Sequence, residues 1–317
     1  MEIIHTSVLL QECLQYLAPD HGGSLMIDGT LGEGGHTEAF LTRYPDLHII
    51  GIDADQKIQE KAKERLAQFG DRVSFYNGWS DVFFSEYPDA ETKPDRILID
   101  LGISLFHYEK SGRGFSFRSD EPLDMRLDPS YPQSAADLVN TMNETALADL
   151  IYQFGEERYS RRISKAICEK RGLSKFSTAK ALADCIYSAV PGEYRHGRIH
   201  PATRTFQALR IAVNEELSRL PGLLSLALDV LAPNGKLGVI TFHSLEDRIV
   251  KNYFRDMGKK CTCPPEVPIC RCGGKAKVEV LTKKSVSPQE DEIRVNPPSR
   301  SARLRVVRKL SHEEENK

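Results

Sequence analysis

The residues best able to do chemistry fall in order along the first hundred positions. The segment Asp28-Gly-Thr-Leu-Gly-Glu-Gly-Gly-His36 packs four glycines into nine residues. Glycine permits positive φ and lets backbone approach a ligand closely. Asp53 lies 25 residues after Asp28. An acid there can accept hydrogen bonds from both hydroxyls of a ribose. Asn77-Gly-Trp79-Ser80 holds the only tryptophan of the chain, and an indole face can cover an adenine. Asp100 closes a fourth apolar run. Taken singly, the glycines could form a plain tight turn, Asp53 could cap a helix, and Trp79 could be core. In this order they describe a nucleotide-like site.

Spacing narrows the ligand. Dinucleotide folds favour G-x-G-x-x-G, which seats a pyrophosphate on a helix N-terminus. Here the glycines run Gly29-x-x-Gly32-x-Gly34-Gly35, which departs from that template. S-adenosylmethionine carries no phosphate. It needs a loop passing close to its methionine portion and an acid on its ribose, and the segment suits that better. A nucleotide-dependent oxidoreductase is the second reading. A non-catalytic RNA-binding module built on the same fold is a third.

These residues need a scaffold that brings them to one edge. Residues 24–28, 48–53, 73–76 and 95–100 read as short buried strands. Helical patterns over 35–43 and 56–68 alternate with them. Such alternation predicts an α/β fold with a parallel sheet and right-handed crossovers. Ligands bind such sheets outside the carboxyl ends of the strands, where the acids at 28, 53 and 100 stand. Residues 102–135 then lose any sustained period, and 144–190 read as helices. The sheet pattern resumes with a helix over 206–231, interrupted near Pro221-Gly222, a strand over 237–242 and a helix over 246–257. Strand candidates at 277–281 and 303–307 follow. The expected organisation is a Rossmann-like sheet domain from 1–107 and 206–310, a helical insertion at 108–205, and a polar tail at 311–317.

Composition sets further bounds. Length (317 residues) and a hydrophobic content of 40% suit a globular chain with a sizeable core. No run of 18 apolar residues occurs, so no membrane partner is expected. The N-terminus lacks a basic leader before an apolar stretch, which makes the cytoplasm the expected compartment. Charge is uneven. Residues 1–100 hold 8 Lys/Arg against 18 Asp/Glu, whereas 158–210 hold 12 against 3 and 251–310 hold 15 against 6. An acidic body with basic surfaces suits a polyanionic partner. The oligomeric state stays open, a homodimer included.

Longer segments carry a resemblance. They are His5-Thr-Ser-Val-Leu-Leu10, Asp28–Thr37, Asp100-Leu-Gly-Ile-Ser104, Arg113-Gly-Phe-Ser-Phe117, Pro122-Leu-Asp-Met-Arg126, Phe154-Gly-Glu-Glu-Arg158, His200–Arg210, Phe242–Arg248 and Asn296–Arg305. With these the chain resembles the bacterial ribosomal RNA small subunit methyltransferase H family, also called MraW. The resemblance implies a class I S-adenosylmethionine-dependent methyltransferase fold with an inserted helical subdomain. It implies methylation of the N4 amine of a cytidine in 16S rRNA of the small ribosomal subunit. It implies that S-adenosylmethionine is held by Gly34, Gly35, His36, Asp53, Trp79, Asp100 and His107. The family usually has Phe at position 79, and Ser-Ser-Pro-Gln where this chain has Ser104-Leu-Phe-His107.

Methylating an exocyclic amine needs an acceptor that orients its hydrogen and draws the lone pair out of conjugation. Asp100 or a nearby carbonyl is the expected acceptor. His243 and Asp247 come next, with helix capping at Glu246 as the alternative. Phe115 and Phe117 with Arg113 and Arg118 could stack on bases or pack in the core. Arg158, Arg161, Arg162, Lys165, Arg195 and Arg198 could grip phosphates. Cys13, Cys168 and Cys185 read as small buried hydrophobes. Cys261-x-Cys263 and Cys270-x-Cys272 could supply four thiolates to zinc, but one intervening residue is fewer than the usual site has; a Pro-rich loop with reduced thiols is the alternative, and no metal is expected.

Overall fold

A computed structural model describes residues 7–21, 24–87, 92–261, 263 and 274–311. The chain forms two compact units, one of Met1–Ile103 with Arg219–Lys317 and one of Ser104–Ser218.

The first unit is built on a seven-stranded sheet. Its strands are β1 (Leu25–Asp28), β2 (His48–Asp53), β3 (Val73–Asn77), β4 (Arg96–Asp100), β5 (Lys236–Thr241), β6 (Val278–Val280) and β7 (Arg303–Lys309). Their order is β3-β2-β1-β4-β5-β7-β6. The first five pair in parallel, and β7 runs antiparallel to β5 and β6. The chain starts β1 in the middle, moves outward through β2 and β3, then returns to β4 on the other side. The reversal makes the carboxyl ends of β1 and β4 the topological switch point of the sheet, where such folds bind ligands.

Apolar runs in the inner strands β1, β2, β4, β5 and β7 are buried on both faces, as a helix-covered sheet requires. Successive residues alternate between faces. Met26, Ile49, Leu98, Ile240, Leu304 and Val306 join the core under the helices Leu10–Tyr16 and Gly35–Arg43. Ile27, Ile52, Ile97, Ile99, Leu237, Val239 and Val307 join the core under the helices Ser80–Ser85, Glu216–Val230 and Ser244–Met257. A residue buried in β4 is charged, Arg96. It donates to the carbonyl of Ala18 at 3.0 and 2.8 Å and pairs with Asp20 at 2.7 Å.

The second unit contains the helices Ala135–Thr141, Glu144–Gly155, Ser160–Arg171, Ala179–Ala189 and Ala202–Val213. It takes in two stretches that the sequence pattern assigns to the sheet domain, residues 104–107 and most of the helix Ala202–Val213. Asn214 explains the second. Its side chain donates to the carbonyls of Met125 and Arg210 at 2.8 and 2.9 Å and accepts from Leu127 N–H at 2.8 Å.

That residue also corrects a helix boundary. The expected interruption at Pro221-Gly222 is absent, and the helix runs unbroken over Glu216–Val230. The break falls at Asn214–Glu215, where Glu215 adopts φ 53°. Pro221 gives up one N–H near the helix start, but Leu220 and Leu224 on either side are fully buried. Packing outweighs the lost donor.

Candidate functional site

The glycine segment leaves β1 and opens the helix Gly35–Arg43. It is tied at each step. Gly29 N–H donates to Leu98 O and Leu31 N–H to Ile52 O, both at 2.8 Å. The loop is thus anchored to β4 and β2 at once. Gly34, the residue before the helix, has φ 78°, and a Cβ there would also press on Leu66 at 3.0 Å. A Cβ at Gly35 would fall 2.2 Å from Ser7 Oγ. Positive φ makes glycine the fitting residue at 34, and at 35 a Cβ would require the Ser7 hydroxyl to move. Gly32, at φ 54°, faces open space.

Asp28 is buried beneath the loop. It accepts from Thr37 Oγ at 2.7 Å and from Thr30 N–H at 3.3 Å. Burial pushes its carboxyl up, against the lowering influence of His36 and these hydrogen bonds. Its role is to hold the turn.

Asp53 and Asp100 flank this loop. Asp28 pairs in register with Gly51 and Leu98, so both acids stand two residues beyond it on the neighbouring strands. Their strands are about 10 Å apart, two strand spacings. Asp53 does not cap the following helix; Asp55 does, accepting from Lys57 N–H at 2.9 Å. The Asp53 carboxylate instead accepts from Gly32 N–H and Asp55 N–H, each at 2.8 Å. Asp100 Oδ1 accepts from Gly102 N–H at 2.8 Å, and its own N–H donates to Thr30 Oγ at 2.6 Å. Its Oδ2 lies 4.0 Å from His36 Nδ1. The other ring nitrogen of His36 is 3.0 Å from Val8 O. A carbonyl only accepts, which places a proton on Nε2.

Trp79 precedes the helix Ser80–Ser85 and is half-buried. Its turn is fastened to the same elements. Gly78 N–H and Asn77 Nδ2 donate to Asp53 O at 2.9 and 3.0 Å, and Ser80 Oγ donates to Gly29 O. The guanidinium of Arg219 lies 4.2 Å over the indole. Gly34, Gly35, His36, Asp53, Trp79 and Asp100 thus all belong to the first unit and share one network. His107 belongs to the second unit, where it is buried, with its ring edge-on to Phe106 and Phe115.

Other candidates take structural positions. His243 caps the helix Ser244–Met257, with Nδ1 accepting from Glu246 N–H and Glu246 reaching back to Phe242 N–H at 2.8 Å. Asp247 is held by Arg305 at 2.8 and 3.0 Å. Phe115 is buried, and Phe117 stacks on His200 with centroids 4.6 Å apart. Cys13 and Cys185 are buried, and burial pushes both thiols up. Cys270 and Cys272 lie outside the described residues. Sequence reasoning missed Thr30, Ser80, Gly102 and Arg219. The first three stand beside or within motifs already noted, but Arg219 is 140 positions from Trp79 and no local pattern links them.

The donor set decides what this site can hold. Glu33, Asp53 and Asp100 line or flank the loop, and a pyrophosphate would meet their like charge. Acids at these points suit ribose hydroxyls and a cationic ligand, as S-adenosylmethionine offers. Sheet order, the antiparallel β7 and this site define a class I S-adenosylmethionine-dependent methyltransferase fold.

Known proteins agree. The model of the MraW methylase family matches residues 2–310. The ribosomal RNA small subunit methyltransferase H of Treponema denticola is 67% identical, over 99% of this chain and 100% of its own. That of Treponema pallidum is 45% identical, over 97% and 93%. Among solved structures, TrmN from Thermus thermophilus aligns over 95% of this chain and 48% of its own, at 14% identity and a TM-score of 0.40, a likeness too slight to bear on function. The chain belongs to the MraW methylase family.

Proposed function

We propose that the protein uses S-adenosylmethionine to methylate the N4 amine of a cytidine in the 16S rRNA of the small ribosomal subunit. The observation that carries the reading is the pair of strand-end acids, Asp53 and Asp100, on either side of a phosphate-averse glycine loop. Family membership and the names of the relatives supply the RNA.

When bound, S-adenosylmethionine supplies an electrophilic methyl group. Asp53 would accept from the ribose hydroxyls, Trp79 would cover the adenine, and Gly34, Gly35 and His36 would border the amino-acid portion. His107 is a further contact that the family resemblance assigns. Asp100 would take the second role, accepting from an N4 hydrogen so that the amine lone pair turns out of the ring. Gly102 keeps that carboxylate in place. A Cβ there would fall 2.9 Å from Asp100 Oδ1 and 2.6 Å from the Phe242 ring. A base inside folded RNA must be splayed out to be reached, and the helical unit at Ser104–Ser218, whose residues 158–210 hold 12 Lys/Arg against 3 Asp/Glu, is the proposed RNA-holding part.

The test is transfer of labelled methyl from S-adenosylmethionine to 16S rRNA, naked and in small-subunit particles, followed by mapping of the modified nucleotide. Label on a cytidine N4 is expected. Label on another atom would overturn the acceptor. No transfer on any substrate form, with cofactor bound, would favour the RNA-binding module. Tight NAD binding without S-adenosylmethionine binding would favour the oxidoreductase.

A further inference from the structure

The sole tryptophan is fastened at both its backbone and its ring. Its backbone turn is bonded to Asp53 O through Gly78 and Asn77, and to Gly29 O through Ser80. Its ring is fastened separately. Arg219 lies over the indole at 4.2 Å. Arg219 is itself fixed by a two-pronged pair with Asp81, Nε donating to Oδ2 at 3.0 Å and Nη2 to Oδ1. Asp81 stands in the first turn of the helix that Trp79 precedes. Arg219, Asp81 and Trp79 thus close a ring of contacts that joins the helix Glu216–Val230 to the turn after β3. Both charged side chains are only 19% and 24% exposed, which weakens screening by water.

Such a clamp has a physical purpose beyond stability. A half-buried indole with two free torsions would have to be ordered when a ligand ring stacks on it, and that ordering reduces affinity. A flat guanidinium on one face fixes the indole plane in advance. It also consumes that face, so a second planar group can stack only on the opposite one. Lysine could not replace it, because a point charge lacks the flat fork that grips Asp81 and the indole together.

We propose that Arg219 is a positioning residue of the adenosyl subsite: backed by Asp81, it holds Trp79 in the attitude in which the opposite indole face receives the adenine of the cofactor. This rests on the reading of the site given under Proposed function.

The sole tryptophan makes the test direct, because all indole fluorescence comes from position 79. S-adenosylhomocysteine is titrated into full-length wild type, Arg219→Met, Arg219→Lys and Asp81→Asn, following indole emission and, separately, binding heat. Arg219→Met is expected to raise the Kd about three- to thirtyfold, the range of one stacked cation–aromatic contact. Arg219→Lys should not restore it, and Asp81→Asn should weaken binding in the same direction. In steady-state methyl transfer, KM for S-adenosylmethionine should rise more than kcat falls. A purely structural role would lower the unfolding temperature without this pattern. The same substitution in a Trp79→Leu background separates the two, since Arg219→Met should then add less than about twofold. An unchanged Kd for Arg219→Met, or a full effect in the Trp79→Leu background, overturns the proposal while leaving the methyltransferase reading intact. Wild type that binds no S-adenosylhomocysteine overturns both.

Discussion

At the scale of single residues, the one carboxylate of Asp53 shapes the loop and, in the proposed site, would also hold the ribose. It accepts from Gly32 and Asp55 N–H, which shapes the glycine loop, and it stands at the strand end where a ribose would be held. Asp53→Ala should raise the Kd for S-adenosylmethionine about ten- to a hundredfold, the loss of a charged acceptor. Asp53→Asn, which keeps one acceptor oxygen, should fall between. Calorimetric titration checks both, and an unchanged Kd removes Asp53 from the site. This residue was legible in the sequence because an acid ending the second strand of an α/β unit has a known chemistry. Gly34 was legible for the right cause, since it adopts the positive φ of 78° that its type permits; the neighbour of Gly35, Ser7 Oγ at 2.2 Å from a Cβ, cannot be read from spacing. Arg219 was not legible at all, since its partner is chosen by tertiary packing.

At the scale of elements, strands β1 to β5 fall within about two residues of where the short apolar runs predict them, β1, β2, β4 and β5 because their residues are mostly buried. The helix break at Asn214 was hidden because it is set by a side chain bonding to a distant loop, whereas Pro221 advertised a break that core packing overrides. The aromatic stack of the second unit was also invisible. His200 lies between Phe117 and Tyr187, with centroids 4.6 and 5.8 Å away, and its Nδ1 accepts from Ala202 N–H at the start of the helix Ala202–Val213. Burial pushes its pKa below the usual value, with Asp184 opposing. The unfolded chain then binds protons more readily than the folded one. Stability from His200 is full above an unfolded pKa of about 6.5 and is lost as pH falls from there through the lower folded value. The unfolding temperature should drop more between pH 7.5 and 5.5 than in His200→Phe, which keeps a ring without titrating. Equal drops in the two proteins would show that this histidine does not carry the dependence.

At the scale of the whole molecule, the charge pattern forecasts a polyanionic partner, and the structure sorts the cations that could meet it. Arg161, Lys165 and Lys180 are paired with Asp149, Glu169 and Asp184. Arg158 lies against Tyr159 and Tyr194, and Arg195 donates to the carbonyls of Val190 and Ser188. Arg118, Arg162 and Arg198 are exposed, and among the described residues no acid lies within ion-pair distance of them. Charges of this kind contact phosphates at little cost, because nothing must be broken first. Each phosphate contact to single-stranded RNA contributes about 0.7 to the slope of log Kobs against log salt. Replacing Arg118, Arg162 and Arg198 together by Gln should therefore reduce the slope for 16S rRNA by about 2, with affinity falling most at low salt. The Kd for S-adenosylmethionine should not change, since none of the three arginines is among the residues proposed to hold the cofactor. Replacing Arg161, Lys165 and Lys180 should reduce the slope less, because each leaves an acid behind that already neutralised it. Filter binding across a salt series measures both sets, and an equal reduction for the two would show that pairing does not decide which cations meet the RNA.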